Sequence, residues 1–469
     1  MSKRLTRCIA GLGLAAMMNG AFAQTPLGQI VDDYVRQGLE SNLALRSESL
    51  QVERSLAAVD AARARFLPTL GFEARYTRAE GGRTIDIPIG TALNPVYSTL
   101  NEMLAQQGQP PRFTSIDNQS IPFLREREQD TRLTVRQALY APAIPAAVRS
   151  QQAQLQAAEY ARVAVARRLK RDITVAYLNW LDATQVIDIV NASAALLEEN
   201  LRVSDSLFRN GKVTQDQVLR ARAELLAVQQ QAREAENQRD QARSYLNFLL
   251  NRSLSEPILA ADIGTEIHHA AQDLGALRTA ALQNRPEIAQ LDHAVRAAES
   301  AIQVERADLK PMLSLGVDAG TQGEEYEFGR GRNFATVSLL LNWQFFDGGA
   351  NRAQIRSARA QARQASTQKE EIALQIQLEV QQALDRLTTS MDSLATADAR
   401  VEAARAGFHI ASRKRNEGVI SQVEFIDARN SLTSAELNLN VTRFDLLAHQ
   451  AELDYATAAG VLPLVNNPY

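Results

Sequence analysis

Glu424 and Asp427 are the residues of this chain whose type and spacing most directly suggest a chemical role. Residues three positions apart share one face of an α-helix. Two carboxylates on one face can hold a cation when several chains meet, because rings of Asp or Glu favour cations and can trap a multivalent one. Acidic residues near a helix N-terminus also stabilise the helix itself, and the residues alone favour this simpler interpretation.

A turn-forming sequence precedes this pair and occurs twice in the chain. Each copy has a glycine that fits the left-handed residue ending a helix, then a Thr or Ser that can cap the next helix. We predict two helical hairpin turns, at about 210–214 and 416–421. Their key residues are Gly211, Val213 and Thr214 in the first and Gly418, Ile420 and Ser421 in the second.

The two predicted turns differ in charge. At the positions of Glu424 and Asp427, the first turn has Gln217 and Arg220. Only one helix pair would therefore carry the acidic pair. We hypothesise that Arg220 pairs with Asp427 of a neighbouring helix.

The rest of the sequence offers little for catalysis or metal binding. His268 and His269 are adjacent, so their side chains diverge on a helix, and the sequence near them has no Cys or third ligand at metal spacing. The sequence also has no Gly-rich phosphate loop and no G-x-S-x-G turn. We therefore expect no enzyme activity, no metal and no cofactor.

The elements that must position these turns are duplicated. Three landmarks match in the same order in both halves: Pro68 with Pro311, Tyr140 with Phe346, and Gly211 with Gly418. Pro68 to Tyr140 is 72 residues, whereas Pro311 to Phe346 is 35, so the first half has 37 extra residues. This insert, at about 79–129, is predicted to be a long loop with one short helix near Val96–Gln107.

Four segments alternate between apolar and polar residues, which is the period of a β-strand. They lie at about 69–78, 131–140, 312–320 and 335–346. On their own, such strands fit a sheet packed on the core of a soluble α+β protein. Together with a signal peptide they fit transmembrane strands. Four strands do not close a barrel, so several chains must pool them, and three chains would supply twelve.

Two long helical segments carry a heptad seam, in which apolar or small residues follow alternating steps of four and three. The first seam has Leu169, Ile173, Ala176, Trp180, Ala183, Ile187, Val190, Ala194, Leu197, Leu201 and Ser204. The second seam repeats it 207 positions later, from Ile376 to Ala411. Each long helix is expected to cover about 60–65 residues, or roughly 90–100 Å. Partner helices are predicted at about 213–250 and 420–459.

Residues 1–23 have the layout of a secretory signal peptide, with basic MSKRLTR, apolar CIAGLGLAAMM and a small-residue site ending at Ala23. Its removal takes away Lys3, Arg4 and Arg7, and changes the formal net charge from −3 to −6. This mild acidity argues against a nucleic-acid partner. The only cysteine, Cys8, is removed as well, which leaves the mature chain without disulfides.

The whole ordered set resembles the TolC-like outer membrane efflux proteins. Its local marks are Phe346-Asp347-Gly348-Gly349 after the last strand, Leu67-Pro68 and Lys310-Pro311 before the hairpins, and the turns Gly-Lys-Val-Thr at 211–214 and Gly-Val-Ile-Ser at 418–421. The resemblance covers essentially the whole mature chain. No single mark is specific, but the ordered set, duplicated, is.

The resemblance implies a mainly α fold with membrane β structure. Three identical chains form a duct, with a 12-stranded β-barrel (four strands per chain) in the bacterial outer membrane and a long coiled-coil α-helical barrel in the periplasm. Such ducts are passive channels for small toxic compounds or drugs. Their partners are a periplasmic adaptor (membrane fusion protein), an inner-membrane transporter and outer membrane lipid, with no nucleic acid.

The resemblance also assigns roles to residues. The adaptor contacts the two turns, and Glu424 and Asp427 constrict the periplasmic entrance, with Gln217 and Arg220 at the equivalent positions. With the resemblance, the acidic ring becomes the favoured interpretation of Glu424 and Asp427. Arg415 stands where the best-known member has an aromatic residue that helps to latch the closed state, so this chain departs from the family's latch at that position.

The predicted boundaries follow from these elements: signal peptide 1–23, first repeat 24–251, linker 252–275, second repeat 276–459 and tail 460–469. The interior of the duct would show Glu73, Arg75, Arg136 and Asp318, a lining of mixed charge. The insert is expected on the extracellular side, where it would partly cap the mouth.

Alternative interpretations are a type I protein-secretion duct, a structural coiled-coil envelope protein without a pore, and a soluble periplasmic binding or adaptor module.

Overall fold

The computed structural model describes residues 26–261, 273–326 and 329–462. The predicted signal peptide, His268 and His269, and residues 463–469 of the predicted tail lie outside these ranges. The chain divides into two compact units. The helical unit comprises Met1–Leu50, Glu159–Ala289 and Glu370–Tyr469, and the sheet unit comprises Gln51–Ala158 and Gln290–Lys369.

The described residues form helices and strands in a repeated order. The first repeat has α1 (Leu27–Ser41), α2 (Leu43–Ala64), β1 (Thr69–Arg78), β2 (Thr84–Ile87), α3 (Ile89–Gln106), β3 (Gln119–Pro122), β4 (Arg127–Tyr140), α4 (Ala143–Arg209) and α5 (Gln215–Leu249). The second repeat has α6 (Leu274–Asn284), α7 (Pro286–Ala307), β5 (Met312–Gly323), β6 (Asn333–Asn342), α8 (Ala350–Asn416) and α9 (Gln422–Ala456).

The helices of the two repeats have matching lengths. Helices α4 and α8 have 67 residues each, and α5 and α9 have 35 each. Helices α2 and α7 have 22 residues each. The starts of α4 and α8, at Ala143 and Ala350, are 207 positions apart, as are those of α5 and α9. The duplication predicted from the landmarks is therefore present in the elements themselves.

The helical unit is built around the two predicted seams. Nine of the eleven positions of the first seam are buried, and Ala194 and Leu201 are partly buried. In the second seam, seven of eleven are buried, from Ile376 to Val401. The second seam packs on α9 through Leu446 and Leu453. The buried positions of a heptad seam repeat every seven residues. The sequence alone therefore predicts which residues form the seam.

The sheet unit contains an antiparallel four-stranded sheet in the order β1-β4-β5-β6. Strands β1 and β6 are its two edges. Their apolar side chains are open to solvent in the single chain: Leu70 of β1 and Val337 of β6 are each 74% exposed. An exposed apolar face of this kind is typical of a surface that contacts another protein or a membrane.

The fourth strand ends earlier than predicted. The sequence prediction extended it to residue 346, but β6 ends at Asn342, which pairs with Met312 at the start of β5. The residue before Met312 is Pro311, which has no N–H to donate and ends the ladder. The Trp343 indole instead donates to the Leu309 carbonyl at 3.1 Å, and Phe345 lies outside the sheet, 84% exposed.

The insert is more ordered than predicted. Instead of a loop with a short helix near Val96–Gln107, it contains the 18-residue helix α3 and the two-stranded ribbon β2–β3. The helix begins at Ile89, directly after Pro88. Gly90 and Pro95 weaken the helical signal of its first half, and strands of four residues are too short to show alternation. The sequence pattern therefore did not predict the first half of α3 or the ribbon β2–β3.

No described helix is long and apolar enough to cross a membrane.

Candidate functional site

Both predicted turns end their helix in the same way. Gly211 and Gly418 have φ values of 67° and 76°, in the left-handed region that glycine tolerates best. The Gly211 N–H donates to the Phe208 carbonyl at 2.9 Å, and the Lys212 N–H donates to the carbonyl of Leu207, one residue further back, also at 2.9 Å. Gly418 and Val419 repeat this arrangement with distances of 3.0 and 2.8 Å. Two backbone bonds thus close each helix in a Schellman motif.

The helices that follow are capped differently. At the second turn, Ser421 Oγ accepts from the Glu424 N–H at 3.3 Å, and the Ser421 N–H donates to Glu424 Oε2 at 2.9 Å. This reciprocal pair is a capping box. At the first turn, Thr214 stands at the N-cap but its side chain makes no capping bond. The Gln217 N–H donates to the Thr214 carbonyl instead, at 3.3 Å. The expectation that Thr214 caps is therefore wrong in this conformation.

The acidic pair is open to solvent at the start of α9. Glu424 and Asp427 are both exposed, and one Glu424 oxygen is engaged in the capping box. On α5, Gln217 is half-buried and Arg220 is exposed. Within the described residues of one chain, no ion pair or hydrogen bond joins Arg220 to Asp427. That pairing stays a hypothesis about neighbouring chains.

A polar cluster lies under the second turn, on the opposite side of α9. Gln422 and Arg429 are each 3% exposed, and the apolar Phe425 and Ile426 lie between them in sequence. The Arg415 guanidinium donates to Gln422 Oε1. The Phe425 ring lies 5.7 Å from that of Phe408, so the end of α8 is fixed to the start of α9. The second turn is thus anchored by side chains as well as by backbone.

Burial lowers the pKa of both arginines of this cluster, Arg415 and Arg429. At Arg429, nearby Glu436 acts in the opposite direction on the pKa. Two guanidinium atoms of Arg429, Nε and Nη1, are buried without a hydrogen-bond partner. Sequence reading missed Arg429, because its spacing of seven from Gln422 places both residues on one helix face but does not show that this face is buried.

The charged residues predicted to line the duct do share one face of the sheet, and they are paired. Arg136 Nη1 lies 2.9 Å from Asp318 Oδ1, and Arg75 Nη2 lies 3.6 Å from Asp130 Oδ2. Glu73 lies 3.5 Å from the guanidinium of Arg132. Asp130 and Arg132 were not predicted. Their even spacing along β4 with Arg136 was the signal that could have identified them.

Among the described residues, no group of three or more His, Cys, Asp or Glu side chains is arranged to hold a metal ion. The adjacent His268 and His269 lie outside the described ranges. The two turns and the charged sheet face are therefore the regions where the geometry supports a function.

The fold is that of solved outer membrane channels. The Campylobacter jejuni CmeC outer membrane channel aligns with a TM-score of 0.76 at 15% identity, over 98% of this chain and 94% of that one. The outer-membrane channel OprN aligns with a TM-score of 0.73 at 21% identity, over 93% and 91%. The predicted fold class, mainly helical with a strand hairpin in each repeat, is confirmed.

Sequence comparison finds similarity to outer membrane efflux and secretion proteins. Residues 277–459 match the family model for outer membrane efflux proteins. The alkaline protease secretion protein AprF of Pseudomonas aeruginosa is 25% identical over 292 residues, 61% of this chain and 60% of that protein. The toluene efflux pump outer membrane protein TtgF of Pseudomonas putida is 25% identical over 296 residues, 62% and 60%. These matches thus span about 60% of each curated relative. The resemblance to the TolC-like outer membrane efflux proteins is confirmed, and with it the outer membrane localisation.

Proposed function

We propose that this chain is one third of a passive duct that crosses the bacterial outer membrane and the periplasm. Three copies pool their four-stranded sheets into a closed twelve-stranded wall in the lipid. The helices of the three copies form the periplasmic tube. The duct exports small toxic compounds received from a periplasmic adaptor and an inner-membrane transporter, which supply the energy.

The observation that carries this proposal is the inverted character of the sheet. Its apolar residues, among them Leu70, Phe72, Val337 and Leu339, are exposed, while its charged residues pair with one another on the other face. In a membrane barrel the apolar face would contact lipid, and the charged face would line a water-filled interior. Strands β1 and β6 each leave one edge unpaired in the single chain. Pairing β1 of one copy with β6 of the next removes every free edge.

The helical unit supports the same assembly. On α5, Leu219, Leu226 and Phe248 are exposed, and on α8, Leu374 and Leu378 are exposed. These side chains lie off the buried seams, and more than half of the surface of each is exposed in the single chain. A tube built by neighbouring copies would cover them, whereas a single chain leaves them in water.

The acidic pair takes its role from this assembly. Three copies of Glu424 and Asp427 would give six carboxylates around one axis at the periplasmic end. Such rings favour cations and bind multivalent ones. The adaptor would dock at the two turns. Gly211, Thr214, Gly418 and Ser421 are exposed there, and Val213 and Ile420 are half-buried. The duct itself needs no catalytic residue.

A type I protein-secretion duct of the same architecture is the second candidate. It is favoured by the similarity to AprF, which is named as an alkaline protease secretion protein. The two candidates differ in cargo and not in fold. Loss of the gene would raise sensitivity to solvents or antibiotics if the cargo is small, and would remove an exported protein from the medium if it is not.

The decisive experiment follows the protein and its conductance. The mature chain is fractionated, extracted with detergent, analysed for trimers and then reconstituted in planar bilayers. We expect detergent-dependent extraction, a trimer and discrete channels that trivalent cations block from one side. A monomer in the soluble periplasmic fraction would contradict the proposal and favour the adaptor-like or purely structural interpretation.

A further inference from the structure

Helix α3 of the insert carries an apolar stripe that its own chain leaves uncovered. The stripe consists of Ile89, Leu93, Val96, Leu100 and Met103, and all five side chains are exposed, Val96 by 52%. Their spacing alternates steps of four and three. This narrow seam is the pattern that helices use to pack on one another.

Hydrogen bonds to a neighbouring segment determine which side of α3 is covered by its own chain. Asn94 binds the backbone of Ile116 twice: its Nδ2 donates to the carbonyl at 2.9 Å, and its Oδ1 accepts from the N–H at 2.8 Å. Seven residues later, Asn101 makes the same two bonds to the backbone of Phe113: its Nδ2 donates to the carbonyl at 2.7 Å, and its Oδ1 accepts from the N–H at 3.0 Å. The returning segment 112–118, which we name the strap, therefore runs along one flank of α3.

Two further contacts hold the strap close to the helix. The Tyr97 and Phe113 rings lie 5.3 Å apart. A Cβ on Gly90 would come within 2.1 Å of the Ile116 carbonyl oxygen, so only glycine allows this approach. At 3.6 residues per turn, Asn94 and Asn101 lie about 130° around the helix from the centre of the stripe. The strap thus orients α3 and leaves the stripe uncovered.

The position of α3 brings copies of it together. The ribbon β2–β3 continues the hairpin β1–β4, through the bond from the Ala79 N–H to the Glu126 carbonyl at 3.0 Å. Strand β1 is an edge of the sheet, where the next copy would pair. In the proposed trimer, each insert therefore leaves the sheet at a boundary between chains, and three inserts surround one axis.

We propose that the stripes of three α3 helices pack on one another at this axis and form a helical cap over the outer mouth. The inference rests on the proposed trimer and names the occupant of the stripe, a second copy of the same helix. A lipid surface is the less suitable occupant, because helices that lie on membranes are rich in Lys and Arg on the polar face. Residues 89–106 have no Lys or Arg and one acid, Glu102.

Single cysteines test this arrangement directly, because the chain has only one natural cysteine, Cys8, within the predicted signal peptide. The test variant is Val96→Cys, in the stripe. The matched control is Ser98→Cys, which is also exposed but lies about 160–200° further around the helix. Both are expressed as the full chain and oxidised in intact outer membranes.

We expect disulfide-linked dimers from Val96→Cys and none from Ser98→Cys. A flexible three-armed maleimide should link Val96→Cys into trimers. A bulky maleimide should react with Val96→Cys at least tenfold more slowly than with Ser98→Cys, and the two rates should become equal after denaturation.

The outcomes separate this inference from the duct. A protein that runs as a trimer and conducts, but whose Val96→Cys variant neither cross-links nor resists the maleimide, overturns the cap and keeps the duct. Quenching of a bimane label at that cysteine by nitroxide lipid would likewise overturn the cap, in favour of a lipid contact. A protein that forms no trimer overturns both.

Discussion

The two interhelical turns are the same structure with different side-chain chemistry. Each has a left-handed glycine, two closing backbone bonds and a hydroxyl residue at the N-cap, at positions 207 apart. Only the second turn has a formed capping box and an acidic pair on the following helix. The first has Gln217 and Arg220 at those positions.

This difference separates what the fold requires from what the duct requires. A helix that ends in a Schellman motif needs a residue with positive φ and partners for its free carbonyls, and both repeats have this backbone arrangement. The hairpin does not require the acidic pair on α9, because the first repeat forms the same turn with Gln217 and Arg220. The acidic pair is present in one repeat alone, which indicates a task outside the hairpin itself. In the proposed trimer, that task is to constrict the periplasmic entrance.

The largest effect is expected from removing this charge without disturbing the cap. Glu424→Gln/Asp427→Asn keeps the shape of both side chains, and glutamine can complete a capping box as glutamate does. We expect a severalfold rise in single-channel conductance in planar bilayers and loss of the block by trivalent cations. Gln217→Ala is the matched change in the first repeat, and its conductance should equal that of the parent.

Conductance that is identical in the charge-neutral variant and the parent would keep the duct and move the constriction elsewhere.

Copying the acidic pair into the first repeat sharpens the comparison. Gln217→Glu/Arg220→Asp would double the number of carboxylates per trimer from six to twelve. We expect lower conductance and block at lower concentrations of trivalent cations, because more charge is presented to the same ion. Arg220→Ala alone tests the hypothesis of a pair with Asp427. If its conductance and its drug resistance match the parent, that hypothesis is wrong.

The glycines test the shared part of the turns. Gly211→Ala and Gly418→Ala place a Cβ on a residue with positive φ, which costs about 1–2 kcal/mol. Gly407→Ala is the control, because Gly407 lies inside α8 with no atom within 4 Å of an added Cβ. There alanine should stabilise by about 1 kcal/mol. Thermal unfolding should therefore move in opposite directions, and a destabilising Gly407→Ala would contradict this account.

The sequence was sufficient for features that repeat and insufficient for features that occur once. The heptad seams, the four strands and the two turns were predicted because period and duplication supply many independent signals. Helix α3 was placed too late because Gly90 and Pro95 interrupt its pattern, although its strap stabilises it through Asn94 and Asn101. The buried Arg429 was missed because its surroundings come from the tertiary packing of α9.

The smallest effect concerns Asp182, another position where the repeats differ, since its counterpart 207 residues later is Thr389. Asn440 Nδ2 donates to Asp182 Oδ1 at 2.6 Å and joins α9 to α4. Burial, with a smaller contribution from Asp445, raises the pKa of Asp182 to about 6.

Because the folded state raises this pKa, it disfavours the charged form. The contribution of Asp182 to stability should therefore be most favourable below about pH 4, the ordinary pKa of an aspartate. It should fall as the pH rises towards 6 and stay level above that. Asp182→Asn removes the charge and keeps an acceptor for Asn440, so it should stabilise the protein at pH 8 by about 1 kcal/mol, a value reduced to allow for solvent screening. It should have no effect at pH 4. Asp445→Asn should act in the same direction but less, since it removes only the smaller cause. Thermal unfolding across this pH range measures both, and an equal gain for Asp182→Asn at pH 4 and pH 8 would show that packing, not charge, distinguishes this position from Thr389.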